Sequence, residues 1–313
     1  MLELNNYYIQ EQKNLTDLFT NVFVIIDDIY NEIIPMSISN RRNINDSKLS
    51  DSEIITISIV GELLTIDSEK ALFSLLKREY KNLFPKLGDR TRFNRTKRNL
   101  HWVISKIRDY ISSFMQSYSN NIRIVDSMPI PVCEFGRAHF SKCFKGEASY
   151  GRCPSKKQTY FGFKFHALTT VDGFLTDYVI TPANVDDRNA VWDLCEKYKS
   201  ISIIGDKGYV NKRLTPELKI QKDINLLFLK RGNSKDNYPK DIKQLIFKAR
   251  RRIETSFSQL TEQLNLNKVK SKSMLGFITR TSIKVLAHNI SFLINKLMGN
   301  DDYMAKIKRL VFG

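Results

Sequence analysis

Cysteine is scarce: four residues in 313. That excludes a disulfide-stapled scaffold and suits a reducing compartment. Long apolar runs are missing as well. Asp27 and Asp28 interrupt the longest N-terminal one, Val22 to Ile29, and no stretch approaches the ~20 apolar residues a membrane-spanning helix needs. Met1 to Asn6 contains Glu3 and no basic residue, so no secretory leader is expected. Acidic side chains fall well short of basic ones, 33 Asp and Glu against 50 Lys and Arg, giving a formal net charge of +17. What is present is a normal core fraction, 42% hydrophobic and 11% aromatic, which excludes wholesale disorder. The expectation is a cytoplasmic, strongly basic globular chain, and the polyanion that suits such a chain is nucleic acid.

The charge is patched. Residues 1–40 carry one Lys against six Asp and Glu, a net of −5. Residues 77–98 carry nine Lys and Arg against two acids, a net of +7, and residues 133–166 carry seven against two, a net of +5. Patches of this size release counterions from a phosphate backbone and make binding salt-dependent. A single basic run also reads as a solvated face.

Residues 1–118 read as a helical domain. Leu15, Leu18, Phe19, Val22, Phe23, Ile26 and Ile29 recur at helical spacing. Ser50-Asp51-Ser52-Glu53 is a capping-box signature before Ile54 to Leu64, and Asp67 or Ser68 can cap a further helix. Pro85 and Gly88 break the pattern before a helix rich in Arg90, Arg92, Arg95, Lys97 and Arg98. Short helices, a turn and an arginine-rich helix outline a helix-turn-helix-like DNA reader, and those five residues are its candidate DNA contacts.

The texture changes after Gln116. Strands are expected at Ile122 to Val125, Tyr160 to Thr170, Phe174 to Thr181, Ile201 to Ile204 and Asn225 to Leu229. Helices fall between them at about 187–195 and after Pro216, a long one runs from Ile242 to Leu264, and a last one covers Phe277 to Leu297. Three consecutive strands followed by alternating units predict an α/β domain over 119–300, a mixed sheet flanked by helices, with 301–313 as a tail.

Asp126 ends one apolar strand and Asp206 follows another. One such Asp reads as a turn or cap residue. Two, each at the C-terminal end of a core strand, lie where open α/β sheets bind ligands. Glu254 borders the apolar stripe of the long helix, with Arg250 four residues before it and Phe247 seven before it. An ordinary Arg250–Glu254 helix pair is the competing reading. Oxygen ligands from separate elements are what divalent cations need for phosphodiester chemistry.

At these residues the chain resembles the ribonuclease H-like catalytic core of DDE transposases from bacterial insertion sequences. The resemblance covers roughly 120–300. It rests on Ile124-Val125-Asp126-Ser127-Met128-Pro129, Ile204-Gly205-Asp206-Lys207-Gly208-Tyr209 and Arg250-Arg251-Arg252-Ile253-Glu254-Thr255-Ser256-Phe257. It implies a catalytic, metal-binding triad of Asp126, Asp206 and Glu254. The implied cofactor is Mg²⁺, with Mn²⁺ as a substitute. The implied activity is cleavage at transposon ends and strand transfer into target DNA. The implied partners are double-stranded DNA and further copies of the chain, a homodimer or higher oligomer on DNA, in a nucleoid-associated setting. Many relatives carry a Tyr–Arg–Glu–Lys signature on the third helix; here Phe247 takes the Tyr position and Thr261 stands where Lys would fall.

Lys164 and His166 share a strand face and are candidate contacts to the scissile phosphate, with Lys207, Arg250 and Arg251 as further DNA contacts. Asp186 and Asp187 read first as helix caps and otherwise as spare acids near the site, the next candidates for a third ligand should Glu254 belong to a helix pair. Cys133, Cys143 and Cys153, with His139 between them, lack the close Cys pair of a structural zinc site, so the basic segment 133–158 is expected to be a DNA-facing insertion without metal. The alternatives are a nuclease or recombinase on the same core, and a basic DNA-binding protein without catalysis.

Overall fold

A computed structural model describes residues 14–41, 47–153, 157–209, 214–228, 238–300 and 306–312. They form two compact units: the described residues up to Met115 together with those from Glu262 onward, and Gln116–Thr261.

The first unit opens with α1 (Leu15–Ile33), whose cap is Asn14 accepting from the Asp17 amide, and the single turn α2 (Met36–Ser39). Leu18, Phe19, Val22, Ile25, Ile26 and Ile29 form the buried stripe of α1. The Ser50–Glu53 capping box starts α3 (Asp51–Leu63) as expected. Ser68 caps α4 (Glu69–Glu79) and Asp89 caps α5 (Arg90–Asn99), which α6 (His101–Gln116) follows directly. The long apolar helix Met274–Leu297 also belongs here, not with the strands, and it packs against α3 and α5. Its buried residues run almost continuously from Thr279 to Asn295, so it is covered nearly all round, and periodicity alone names no partner for such a helix. One partner is electrostatic. Lys284, 1% exposed, donates to Glu62 at 2.5 Å and to the Leu264 carbonyl at 2.6 Å.

The second unit is a six-stranded mixed sheet. In chain order it contains β1 (Ile122–Glu134), the turn α7 (Phe135–Ala138), β2 (Ser149–Cys153), β3 (Gln158–Thr169) and β4 (Leu175–Pro182). Then come α8 (Asp187–Leu194), β5 (Ser202–Gly205), α9 (Leu214–Lys222), β6 (Asn225–Phe228) and α10 (Lys240–Ser258). The order is β2-β3-β1-β5-β6, with β4 on the same edge of β3 that β2 uses farther along. β1 is antiparallel to β3 and parallel to β5; β5 is parallel to β6.

The sequence pattern ends β1 at Asp126, with Pro129 and Pro131 following. In the structure the strand continues to Glu134. Pairing with β5 covers only Ile122 to Ile124, so the far edge of β1 is unpaired at both prolines, and an edge position tolerates a residue without an N–H. The register against β3 shifts between Pro131 and Cys133. Gly162 makes that shift possible, since a Cβ there would run into the Ile130 carbonyl and come within 2.9 Å of the Val132 nitrogen. The segment after β1 is only partly a loop, for β2 within it pairs with β3.

The two faces of this sheet bury different helices. Val125 and Leu168 face a cluster that includes Val191, Leu194, Leu218 and Phe228. The opposite face carries Phe165, which meets Phe257 of α10 at 6.4 Å between ring centres. The turn between β3 and β4 holds α10: Gly173, at φ +93°, accepts a hydrogen bond from Ser256 Oγ at 2.8 Å. A side chain at Gly173 would be strained by its φ and would crowd Ser256 and Arg252.

Candidate active site

Ile124 pairs with Ile204 across the parallel strands β1 and β5. Two residues farther along, Asp126 stands within β1 and Asp206 just past the end of β5, so the register that builds the core brings the two carboxylates close enough to feel each other's charge. Neighbouring strands are about 4.8 Å apart. Gly205 permits this closeness, because a Cβ there would lie 2.8 Å from Val125 and 2.9 Å from Phe228. The chain then turns through a single 3₁₀ turn, Lys207–Tyr209.

Burial pushes the Asp126 carboxyl up to about 6. The Ser127 amide, which donates to it at 2.8 Å, and the Arg250 charge act in the opposite direction. The charges of Asp206 and Asp187 push it farther up. Arg250 reaches inward from α10, its guanidinium 3.7 Å from Asp206 Oδ1. A cation thus already stands at these carboxylates. Tyr209 is buried, stacks on Phe228 with ring centres 6.4 Å apart, and its hydroxyl is raised well above its ordinary value by burial and then by Asp126 and Asp187. It is therefore a protonated donor group at the same place.

Asp187 was expected to be a helix cap. Asp186 is the cap, accepting from the Arg188 amide, and Asp187 points toward β3 instead. It accepts from Lys164 Nζ at 2.7 Å and lies 3.8 Å from His166 Nδ1. Lys164 donates also to the Val185 carbonyl at 2.6 Å. His166 is fully buried, with Nε2 at 2.9 Å from Thr181 Oγ1, and burial lowers its imidazole to about 4. His166 consequently does not present itself to a phosphate, contrary to expectation. A Lys-x-His strand followed by Asp-Asp was the sequence signal for this group, and the capping role of Asp186 hid it.

Glu254 lies one turn beyond Arg250 on α10 and is exposed. No group of three His, Cys, Asp or Glu side chains able to share a metal occurs among the described residues. The structure therefore brings Asp126, Asp206 and Arg250 together, adds Asp187 and Tyr209 to their electrostatic surroundings, and leaves Glu254 at the surface. The donor chemistry of Asp126 and Asp206 still fits a hard divalent cation: two oxygen ligands side by side, one raised by burial and by its neighbour's charge. Cys133, Cys143 and Cys153 are half-buried and form no disulfide.

The candidate DNA contacts divide. Arg90, Arg92 and Arg95 of α5 are exposed and Arg98 half-buried. Lys97 is not available: it is buried and ion-paired with Glu69 of α4, whose carboxylate also accepts from Asn94 at 2.6 Å and lies 3.6 Å from Arg280. Helical spacing explains the error, since Lys97 is four residues from Phe93 and shares its inward stripe. Arg251 is exposed on α10, and Lys207 belongs to the turn after Asp206, its side chain lying outside the described residues.

A family model for the transposase DDE domain matches residues 116–274, just over half of the chain. The chain belongs to that transposase family. Comparisons with curated proteins and with solved structures give no significant match. Among the described residues no helix is long and apolar enough to cross a membrane.

Proposed function

We propose that the chain is a DNA transposase that cuts the ends of its element and joins them to target DNA, with Asp126, Asp206 and Glu254 as its catalytic triad. The observation that carries the reading is that Asp126, within β1, and Asp206, just past the end of β5, follow the last residues paired between two adjacent parallel strands by the same two positions, inside the segment the family matches. The strand order and senses, three antiparallel strands β4-β3-β1 followed by parallel β5 and β6, support a ribonuclease H-like core. The helices α1–α6 support a separate N-terminal DNA-binding region, reading DNA through Arg90, Arg92, Arg95 and Arg98.

Asp126 and Asp206 would hold Mg²⁺ or Mn²⁺, with Glu254 completing the set. The cation would activate the attacking oxygen and stabilise the leaving one. The chain's own residues do the rest. Arg250 balances the paired carboxylates and lies where a phosphate approaches. Lys164 neutralises Asp187, so that a third, half-buried carboxylate near the site does not repel the DNA backbone. Tyr209 keeps a protonated hydroxyl beside the acids. Arg251 and Lys207 supply further charge for the strand. Duplex DNA is the substrate, and joining two ends calls for more than one copy of the chain.

The test is to incubate the purified protein with duplex carrying its element ends, a target plasmid and Mg²⁺. Joined products are expected. Cleavage without joining would favour a nuclease on the same core, and binding without cleavage a plain DNA-binding protein.

A further inference from the structure

The segment between β1 and β3 carries two features that a protein surface seldom combines. It is basic, and it exposes large aromatic rings. Phe140 is 82% exposed and Phe135 60% exposed, while Tyr150 is 47% exposed. Rings left this open in one short stretch contribute little to a core, and a patch of them marks a binding surface. Two of them are ordered against each other, and Phe140 meets His139 edge to face at 5.3 Å. Phe135 and Tyr150 meet edge to face at 5.6 Å, and Tyr150 leans on Phe161 at 5.3 Å. Arg137, Lys142 and Arg152 are exposed in the same segment. Tyr150 and Arg152 share one face of β2, two residues apart.

The pleat relates this patch to the carboxylates. Tyr150 stands opposite Phe161, and Phe161, Phe163, Phe165 and Ala167 alternate along one face of β3. Ala167 stands opposite Asp126. The aromatic patch and Asp126 therefore lie on the same sheet face, six residues apart along β3, or about 20 Å at the rise of an antiparallel strand. That distance is about six steps along one strand of B-form DNA.

Resting on the reading of this protein as a DNA-cutting enzyme, we propose that Phe135, Phe140 and Tyr150 form a stacking platform for unpaired bases of the DNA strand running to the Asp126 site. Duplex DNA offers this surface phosphates only; its base faces are already stacked. An unpaired segment offers both halves of what the patch can use, base faces for the rings and phosphates for the cations. A second copy of the chain is a poorer occupant, because it brings the same positive charge to the same surface.

The experiment compares two labelled DNAs of identical length, a perfect duplex and the same duplex with a run of unpaired thymines, binding to full-length protein. The variants are Phe140→Ala, which removes an exposed ring, and Tyr150→Leu, which keeps apolar bulk without an aromatic face. Each is expected to weaken binding to the unpaired DNA about tenfold while changing duplex binding less than twofold. Lys142→Gln should weaken both DNAs alike. Equal losses on both DNAs for the ring variants, or no loss on either, would overturn the proposal. So would a shift from a concentration-dependent oligomer to monomer in Phe140→Ala with DNA binding unchanged, which would assign the patch to self-association. Thermal unfolding checks that both variants are folded. Joining of fully paired, pre-cleaved ends by these variants at the wild-type rate would show the enzymatic reading intact whatever the stacking result, so the two can fail separately.

Discussion

Ionising Asp126 in the folded chain works against burial and against two neighbouring carboxylates, and this has a measurable thermodynamic consequence. Its carboxyl lies at about 6 when folded, above the value of about 3.9 in an unfolded chain. Between those values the folded state holds more proton than the unfolded state, so the contribution of Asp126 to stability falls as pH rises from about 4 to 6, then stays constant. Asp126→Asn, which cannot ionise, should therefore be more stable than wild type at pH 7 by roughly 1–3 kcal/mol without metal, and about equal to it at pH 4. Urea unfolding of both proteins at the two pH values, in the presence of a chelator, checks this. Taking the difference between them cancels His166 and His288, both lowered to about 4 by burial, which act in the opposite direction over the same range. A residue whose charge costs stability at its own position fits a functional role. The sequence made this position legible because an acid closing an apolar strand is costly anywhere. Asp187 was legible only as a second choice, a spare acid behind a cap, since nothing local says that its neighbour Asp186 satisfies the capping rule by itself.

At the scale of the element, α5 shows how one helix serves two purposes. Arg90, Arg92 and Arg95 face outward, and Lys97 faces inward to Glu69. Replacing Arg92 or Arg95 by Gln should lower the slope of log affinity against log salt by about 1 each, with the melting temperature unchanged. Lys97→Ala should leave that slope unchanged. It should cost about 3–5 kcal/mol of stability, toward the low end because Arg280 still faces Glu69. Salt titrations of DNA binding and denaturant unfolding separate the two classes. If Lys97→Ala lowers the slope and spares stability, the inward assignment is wrong. Elements with a strong local signal were legible: the Ser50 capping box, the alternation of β3 and the stripe of α10. β1 beyond Asp126 was not, because whether a proline is tolerated depends on which strand lies beside it, and β5 leaves that edge open. β2 was missed because its five residues, Ser149 to Cys153, have almost no apolar alternation and are fixed by pairing with β3.

For the whole molecule, the sheet unit is a continuous stretch of chain, 116–261, whereas the helical unit is assembled from both sides of it. The sequence reading kept Phe277–Leu297 with the strands since nothing local marks a boundary: α10 passes into a π-helical turn, Gln259–Gln263, and the division falls within it. What assigns the last long helix is Lys284, whose partners Glu62 and Asp67 lie more than 200 residues away in sequence. Ion pairs of that separation cannot be read from a single chain. The candidate site, by contrast, is contained in the sheet unit, and its two acids, Asp126 and Asp206, were legible from sequence alone.

The proposed function requires those two acids to act at one step of metal-dependent chemistry. The most direct measurement is the rate of Mg²⁺-dependent cleavage of element-end DNA by wild type, Asp126→Asn, Asp206→Asn and the double variant, with DNA affinity measured alongside. Each single change should lower the rate by at least ~10³, the double change should be no worse than either, and affinity should hold or tighten as negative charge is removed near phosphate. Cleavage within tenfold of wild type in either single variant, at unchanged DNA affinity, would contradict the account.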